Sequence, residues 1–255
     1  MTSKPSPARV EFVDELREPR LRERLAARLA SEIVSGRMAP GESFPSSDEI
    51  VRTYRVSRTV ARETVQTLSM LGLVRVQHGR RTEVLPAQEW DVLSSVVQGV
   101  IRRGETEVGP IMRDLYAFRL LVEPQAAAWT AERADESELE ALRALTERMS
   151  ELTGVGAPPE AVMAVDREFH DRIARASGNV LVAAVSRDIR EVVTTLWAVS
   201  HLSAEDIRRV AEQHQAIAAA LSRRDPEGAA EAMREHLFWA STLDLGALED
   251  AGRGA

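Results

Sequence analysis

Cysteine is absent from the 255 residues of the chain. Its absence excludes disulfides, Cys-ligated zinc, iron–sulfur clusters and thiol nucleophiles together, and it fits a reducing cytoplasm. Lysine is almost absent as well. Lys4 is the only one, so the positive charge is carried by arginine and a catalytic or Schiff-base lysine is excluded. No uncharged apolar run approaches the roughly 18 residues that cross a bilayer. The opening residues MTSKPSPARVEF lack the apolar stretch of a secretory signal, so a cytoplasmic protein with no membrane partner is expected. The GxSxG, HExxH, P-loop and glycine-rich dinucleotide signatures of common enzyme sites are also missing.

Apolar residues make up 44% and charged residues 29%, enough for a packed core under a solvated surface. At about 150 residues per domain, the length allows one large domain or two modest ones. Charge distribution favours two. Residues 20–86 hold 12 basic and 7 acidic side chains, whereas residues 87–255 hold 18 basic and 29 acidic. A basic N-terminal part joined to an acidic remainder suggests different partners for each, beneath a net charge of −7.

Residues 1–19 show no sustained periodicity and read as a flexible arm. Leu21, Leu25, Leu29 and Ile33 then recur at helical spacing, and Gly36 stops the pattern. Ser46 or Ser47 can cap a short second helix with Asp48 and Glu49 in its first turn, where the helix dipole favours anions. Ser57 can cap a third, over about Arg58 to Leu71, with Val60, Thr64, Val65, Leu68 and Leu71 inward. After Gly72 the period changes: Leu73–Val76 and Thr82–Leu85 are rich in β-formers around the turn-forming Gln77–Arg81, which predicts a hairpin. Three helices and a hairpin make a winged helix-turn-helix over residues 20–86. Beyond Pro86-Ala87-Gln88, only helical stripes follow, over 92–103, 110–132, 137–152, 159–176, 179–200, 204–223 and 226–245. The expected fold is mostly α: the winged unit plus an antiparallel all-α bundle of six or seven helices over residues 90–246, with a flexible tail at 247–255.

Ser57-Arg58-Thr59 opens the third helix, and Arg62 follows one turn later on the same face. Free backbone N–H groups and the positive dipole end of a helix N-terminus suit a phosphate, and arginine can read guanine bidentately in the major groove. The hairpin tip around His78, Gly79, Arg80 and Arg81 can reach the backbone or minor groove. Separately, a serine cap and two exposed arginines are ordinary features; placed together they point to DNA. The runs Gly41–Ile50, Tyr54–Glu63 and Leu71–Val74 resemble the winged helix-turn-helix of the GntR family of bacterial transcription regulators, over about residues 20–85. The resemblance implies DNA contacts from Ser46, Ser57, Arg58, Thr59, Arg62, His78 and Gly79. The chain departs from the pattern at Asp48, where some members carry arginine, and at Val60-Ala61. Asp48 would repel phosphate and takes no DNA role.

In the bundle, helical periodicity puts Asp166 and His170 four residues apart on one inward stripe. His214 sits on a second stripe, with Ile207, Val210, Ile217 and Leu221. His236 sits on a third, with Ala229, Met233, Leu237 and Ala240. Four buried polar groups without partners would cost on the order of 1–3 kcal/mol each. Convergence on one divalent ion resolves the four together; the alternative is that each histidine is a hydrogen-bonded core residue. His78 and His201 lie off the apolar stripes and serve as internal controls. The expected cofactor is a divalent metal, zinc first, with nickel or manganese as alternatives.

Arg119–Pro124, Asp166–His170, Ser177–Asn179, His214 and His236 resemble the C-terminal domain of the FadR-type branch of the same family, over about residues 90–245. That resemblance implies metal binding by Asp166, His170, His214 and His236, and a small carboxylate effector on the ion. It implies that Arg119 pairs with the effector; an intrahelical pair of Arg119 with Glu123 is the alternative. Trp90-Asp91-Val92-Leu93 resembles members that sense sugar acids. The expected protein is a repressor acting as a homodimer on near-palindromic double-stranded operator DNA, since two half-sites multiply the specificity of one small module. A metalloenzyme built on the same four ligands and a pure metal sensor are the rival readings.

Overall fold

The computed structural model describes residues 21–77, 81–101, 109–196 and 202–253. The chain divides into two compact units after Asp91. The first unit holds α1 (Leu21–Val34), α2 (Ser47–Tyr54), α3 (Arg58–Met70) and a two-stranded antiparallel ribbon of β1 (Val74–Arg75) and β2 (Glu83–Val84), in which Val74 pairs Val84 and Arg75 pairs Glu83. Helices α1 and α2 both pack on α3, and Leu29, Ile50, Leu68, Leu73, Val74 and Val84 close the core between helices and wing. This is the winged helix-turn-helix expected. The arm at 1–19 and the hairpin tip with His78 and Gly79 lie outside the described residues.

Local chemistry sets the helix ends. Ser46, rather than Ser47, caps α2, because Glu49 then falls at the third helical position and completes a capping box. The Glu49 N–H donates to Ser46 Oγ at 3.3 Å, and the Ser46 N–H donates to Glu49 Oε2 at 2.8 Å. Ser57 caps α3, accepting from the Val60 N–H at 3.2 Å. The turn from α3 into the wing needs Gly72, whose φ of +69° lies in the left-handed region.

The second unit is all helix among its described residues: α4 (Ser95–Ile101), α5 (Gly109–Arg133), α6 (Glu136–Gly154), α7 (Pro159–Ala176), α8 (Val180–Leu196), α9 (Ala204–Ser222) and α10 (Pro226–Arg253). Helix α10 lies along α5, α6 packs on α7 and α9, and α7 is wedged against α5 and α8. Phe169, Leu142, Met149, Ile173, Ile217 and Leu221 fill the centre, while Ala126, Ala127 and Ala131 of α5 are small enough for close helix approach. Thr130 on α5 donates to the Ile173 carbonyl of α7 at 2.8 Å, pinning the two helices. His201, Trp197 and their neighbours at 197–201 lie outside the described residues.

Two boundaries differ from expectation. Helix α4 begins at Ser95 rather than Val92, because Ser94 accepts from the Val97 N–H at 3.4 Å and acts as its cap. Helix α10 runs on to Arg253, across the tail expected from 247. Between Leu245 and Arg253 there is no proline, and an isolated glycine such as Gly246 costs a helix only about 1 kcal/mol relative to alanine.

A Cβ at Gly72 would lie 1.8 Å from the Glu89 carbonyl oxygen, whereas one at Gly36, also at positive φ, would meet nothing within 4 Å. Gly72→Ala should therefore destabilise the N-terminal unit by more than about 2 kcal/mol, and Gly36→Ala by only about 1 kcal/mol of backbone strain. Urea unfolding followed through both variants checks the order; equal losses would show that the Gly72 turn is not closely packed.

Candidate functional site

At the N-terminus of α3, Ser57, Arg58, Thr59 and Arg62 are all exposed, as is Ser46 at the start of α2. The two serine hydroxyls are engaged as caps, which holds the first turns of both helices rigid and leaves the arginines projecting from a fixed base. Arg58 Nε lies 3.6 Å from Asp48 Oδ1, with both side chains largely in water. An exposed pair of this kind is worth at most about 1 kcal/mol, so it positions Arg58 without sequestering it. Spacing alone did not disclose this pair, because the two residues sit on different helices.

In the second unit, α7 supplies Asp166 and His170, α9 supplies His214 and α10 supplies His236. The three imidazoles are buried and Asp166 is partly buried, and one ligand atom from each residue lies within 4.8 Å of every other. His170 Nε2 is 3.2 Å from His236 Nε2 and 3.8 Å from Asp166 Oδ1, and His214 Nε2 is 3.1 Å from the same oxygen.

The outer nitrogen of each ring decides where its proton sits. His214 Nδ1 donates to the Val210 carbonyl at 2.7 Å, and His236 Nδ1 donates to Gln213 Oε1 at 3.1 Å. His170 Nδ1 faces Glu123 Oε2 at 2.7 Å in a bent approach. Each of these acceptors favours the proton on Nδ1, leaving a lone pair on each Nε2. Burial pushes the pKa of His170 and of His236 down, so both rings are held neutral.

Two Nε2 lone pairs facing each other at 3.2 Å repel unless a cation lies between them, and the buried Nε2 of His214 has no hydrogen-bond partner of good geometry among the described residues. A metal–nitrogen bond of about 2.0–2.1 Å places neighbouring ligand atoms about 3.0–3.4 Å apart. The donor set thus fits a divalent ion, with the outer hydrogen bonds in the arrangement that orients metal-binding imidazoles.

Behind His170 lies a buried charge network. Glu123 Oε1 accepts from Arg119 Nε at 2.8 Å and from Arg190 at 3.4 Å, and Arg190 Nε also donates to Asp171 at 2.9 Å. Burial alone would raise the Glu123 pKa, but Arg119, His170 and Arg190 hold it well below the usual range. Arg119 therefore makes the intrahelical pair with Glu123, and its side chain also lines a cavity of about 260 Å³. Tyr116, Asp166, Arg190, His236 and Asp244 line the same cavity, which places one side of the histidine cluster on its wall. Tyr116 donates a short hydrogen bond to buried Asp244. Burial and then the Asp244 charge raise its phenol pKa well above the ordinary value.

Sequence reasoning missed Tyr116, Glu123 as a partner of His170, Arg190 and Asp244. Asp244 did leave a signal, since it continues the stripe Met233, Leu237, Ala240 four residues on. Arg190, a charge on an otherwise apolar stripe with Ile189 and Val193, left a weaker one.

Two family models match the chain. Residues 21–84 match that of the bacterial regulatory proteins of the gntR family, and residues 114–238 match that of the FCD domain. The galactonate operon transcriptional repressor of Escherichia coli K12 is 25% identical over 213 residues, covering 82% of this chain and 90% of the relative. The transcriptional repressor NanR of Cronobacter sakazakii is 28% identical over 225 residues, covering 87% and 84%. Among solved structures, Lar, which controls expression of the Listeria monocytogenes agr system, superposes with a TM-score of 0.57 at 16% identity, covering 89% of this chain and 97% of that one. That likeness is one of fold.

Since His170 and His236 titrate below the ordinary imidazole value of about 6.5 in the folded protein, the unfolded chain binds protons that the native state refuses as pH falls below 6.5. Metal-free protein should hold its full stability above about pH 6.5 and lose up to about 1.4 kcal/mol per pH unit for each imidazole below it. Denaturant midpoints of chelator-treated protein at pH 7.5 and 5.5 measure the loss, and His236→Ala should reduce the slope. A midpoint independent of pH over this window would mean that the imidazoles are not held neutral.

Proposed function

The chain is a transcriptional regulator of the gntR family, with a winged helix-turn-helix DNA-binding domain joined to an FCD domain, and we propose that it represses its operator until a small carboxylate binds at a divalent-metal site formed by Asp166, His170, His214 and His236. The observation that carries this reading is the convergence of three buried imidazoles and a carboxylate, of which Asp166 and His236 line a cavity. Such a donor set takes zinc first, with nickel or manganese as alternatives. A divalent ion there would supply an open coordination position for a carboxylate oxygen. The work of this chain is to orient the three rings through Val210, Gln213 and Glu123, and to present Arg119 to the remaining negative charge of the effector.

At the other end of the chain, Arg58 and Arg62 read the major groove, and Ser46, Ser57 and Thr59 hold phosphates. His78 and Gly79 at the wing complete the contact. The regulator works as a homodimer in the cytoplasm, because one short recognition helix covers few base pairs and a two-fold arrangement doubles the readout. Release follows if the effector binds better to the arrangement that suits the operator less, and a tenfold change in affinity needs about 1.4 kcal/mol of such coupling.

Arg58→Ala and Arg62→Ala should each weaken operator binding by about 1–3 kcal/mol with the helical content unchanged. Gel-shift titration at fixed salt reads the effect, and wild-type affinity in both variants would remove α3 as the reading helix.

Elemental analysis of purified protein should find about one divalent ion per chain. Alanine at any of Asp166, His170, His214 or His236 should lower the content, while His201→Ala leaves it unchanged. Metal loss in His201→Ala equal to that in His214→Ala would refute the ligand set. If the ion alone toggles operator binding with no organic acid present, the metal itself is the signal.

A further inference from the structure

Among the described residues, two that are not glycine hold a left-handed backbone, and both are arginines. Arg55 and Arg224 each have a φ of 53°, where a Cβ crowds the following carbonyl and glycine is the least strained residue. Each follows one helix and turns the chain into the next: Arg55 from α2 into α3, Arg224 from α9 into α10. Only one of them gains contacts within the molecule. Arg224 Nη1 donates to the Ala134 carbonyl at 2.7 Å and reaches the Ala131 carbonyl at 3.4 Å, so its guanidinium caps the C-terminal end of α5. Arg55 is exposed and makes no hydrogen bond, ion pair or ring contact with any described residue. By contrast Arg22, Arg37, Arg58 and Arg75 of the same unit each meet a carboxylate.

A strained conformation that brings no contact inside the molecule points to a contact outside it. The position of Arg55 narrows the choice. In a helix-turn-helix the first helix crosses the DNA backbone and the second enters the major groove by its N-terminal end. Arg55 stands where α2 hands over to α3, two residues before the Ser57 cap. Val56 between them is buried and Ser57 accepts from the Val60 N–H, so the junction is anchored on the protein side. Two residues span at most about 7 Å of chain, so Arg55 lies at the shoulder of the exposed turn that carries Arg58 and Thr59. At the shoulder of a groove the groups within reach are phosphates rather than base edges. Asp48 offsets part of the Arg58 charge, whereas no described carboxylate pairs with Arg55.

We propose that Arg55 is a DNA-binding residue that contacts a backbone phosphate and adds affinity without base preference. The contact rests on α3 entering the groove, and the variants below score the two separately. Charge is what arginine supplies here, since glycine would make the same turn with less strain.

The test is fluorescence-anisotropy titration of full-length protein on two duplexes over a range of salt concentrations. One duplex is selected by the wild-type protein from a randomised library, and the other is a scrambled duplex of the same composition. Loss of one phosphate contact lowers the slope of log affinity against log salt by about 0.9. Arg55→Gly and Arg55→Asn, both at ease at positive φ, should each show that reduced slope. Both should bind the two duplexes about eightfold more weakly at about 0.1 M salt, the loss fading toward about 1 M. Arg55→Lys should keep the wild-type slope. A turn merely loosened by glycine would leave the slope unchanged. Urea unfolding should place the midpoint of Arg55→Gly above wild type, because strain is released and no contact is lost. Arg224→Gly, which loses its carbonyl contacts, should fall below wild type and keep wild-type DNA affinity. Arg62→Ala, measured alongside, should weaken the selected duplex more than the scrambled one. Its failure to do so would count against α3 as the reading helix, while the Arg55 slopes still score the phosphate contact. A wild-type slope in Arg55→Gly and Arg55→Asn would overturn the proposal. So would weakening confined to the selected duplex, failure of the wild type to bind DNA, or a urea midpoint of Arg55→Gly below wild type.

Discussion

The carboxylate of Glu123 is the point on which the helical unit depends. It is 4% exposed, and it meets Arg119 from its own helix, His170 from α7 and Arg190 from α8. A lone buried carboxylate would be driven to protonate. Here the surrounding cations keep it charged, and the charge in return sets the tautomer of His170 and so directs its Nε2 toward the other imidazoles. Removing Glu123 would take the carboxylate from buried Arg119 and leave Arg190 with Asp171, and stripping a buried guanidinium of its partner is far costlier than losing an exposed ion pair. One side chain thus ties three helices together and orients a candidate ligand.

The two units solve different physical problems. In the N-terminal unit Arg58 and Arg62 are in water and the rigidity comes from beneath, through the Ser46–Glu49 capping box, the Ser57 cap and the glycine turn into the wing. In the helical unit His170, His214 and His236 are buried, and each ring has a specific acceptor for its outer nitrogen. The first unit carries the basic balance of the chain and the second its acidic one.

Much of this architecture was legible in the residues. Change of period at Gly72, from helical stripe to β-formers, located the wing. Regular stripes located the bundle helices to within a few residues, because amphipathic periodicity is a local property. The inward positions of Asp166, His170, His214 and His236 could be read the same way. What the stripes could not supply was pairing across helices: Glu123 against His170, Arg58 against Asp48, Tyr116 against Asp244. The tail misled for a related reason, since a sequence without a strong stop can carry a helix well past the end of its regular apolar stripe.

The sequence by itself determined the helix boundaries set by caps and glycines, the basic and acidic halves, Arg58 and Arg62 on one helix face, and which polar residues turn inward. These depend on spacing within one element and on local hydrogen bonding. Only the tertiary structure decided that three imidazoles and one carboxylate bring one ligand atom each to within 4.8 Å of every other, that the His170 and His236 Nε2 lone pairs face one another, and that a cavity with Arg119 and Asp244 opens beside them. Such facts depend on helix crossings and on the tautomer each distant acceptor imposes. Both are set by packing between segments far apart in the chain.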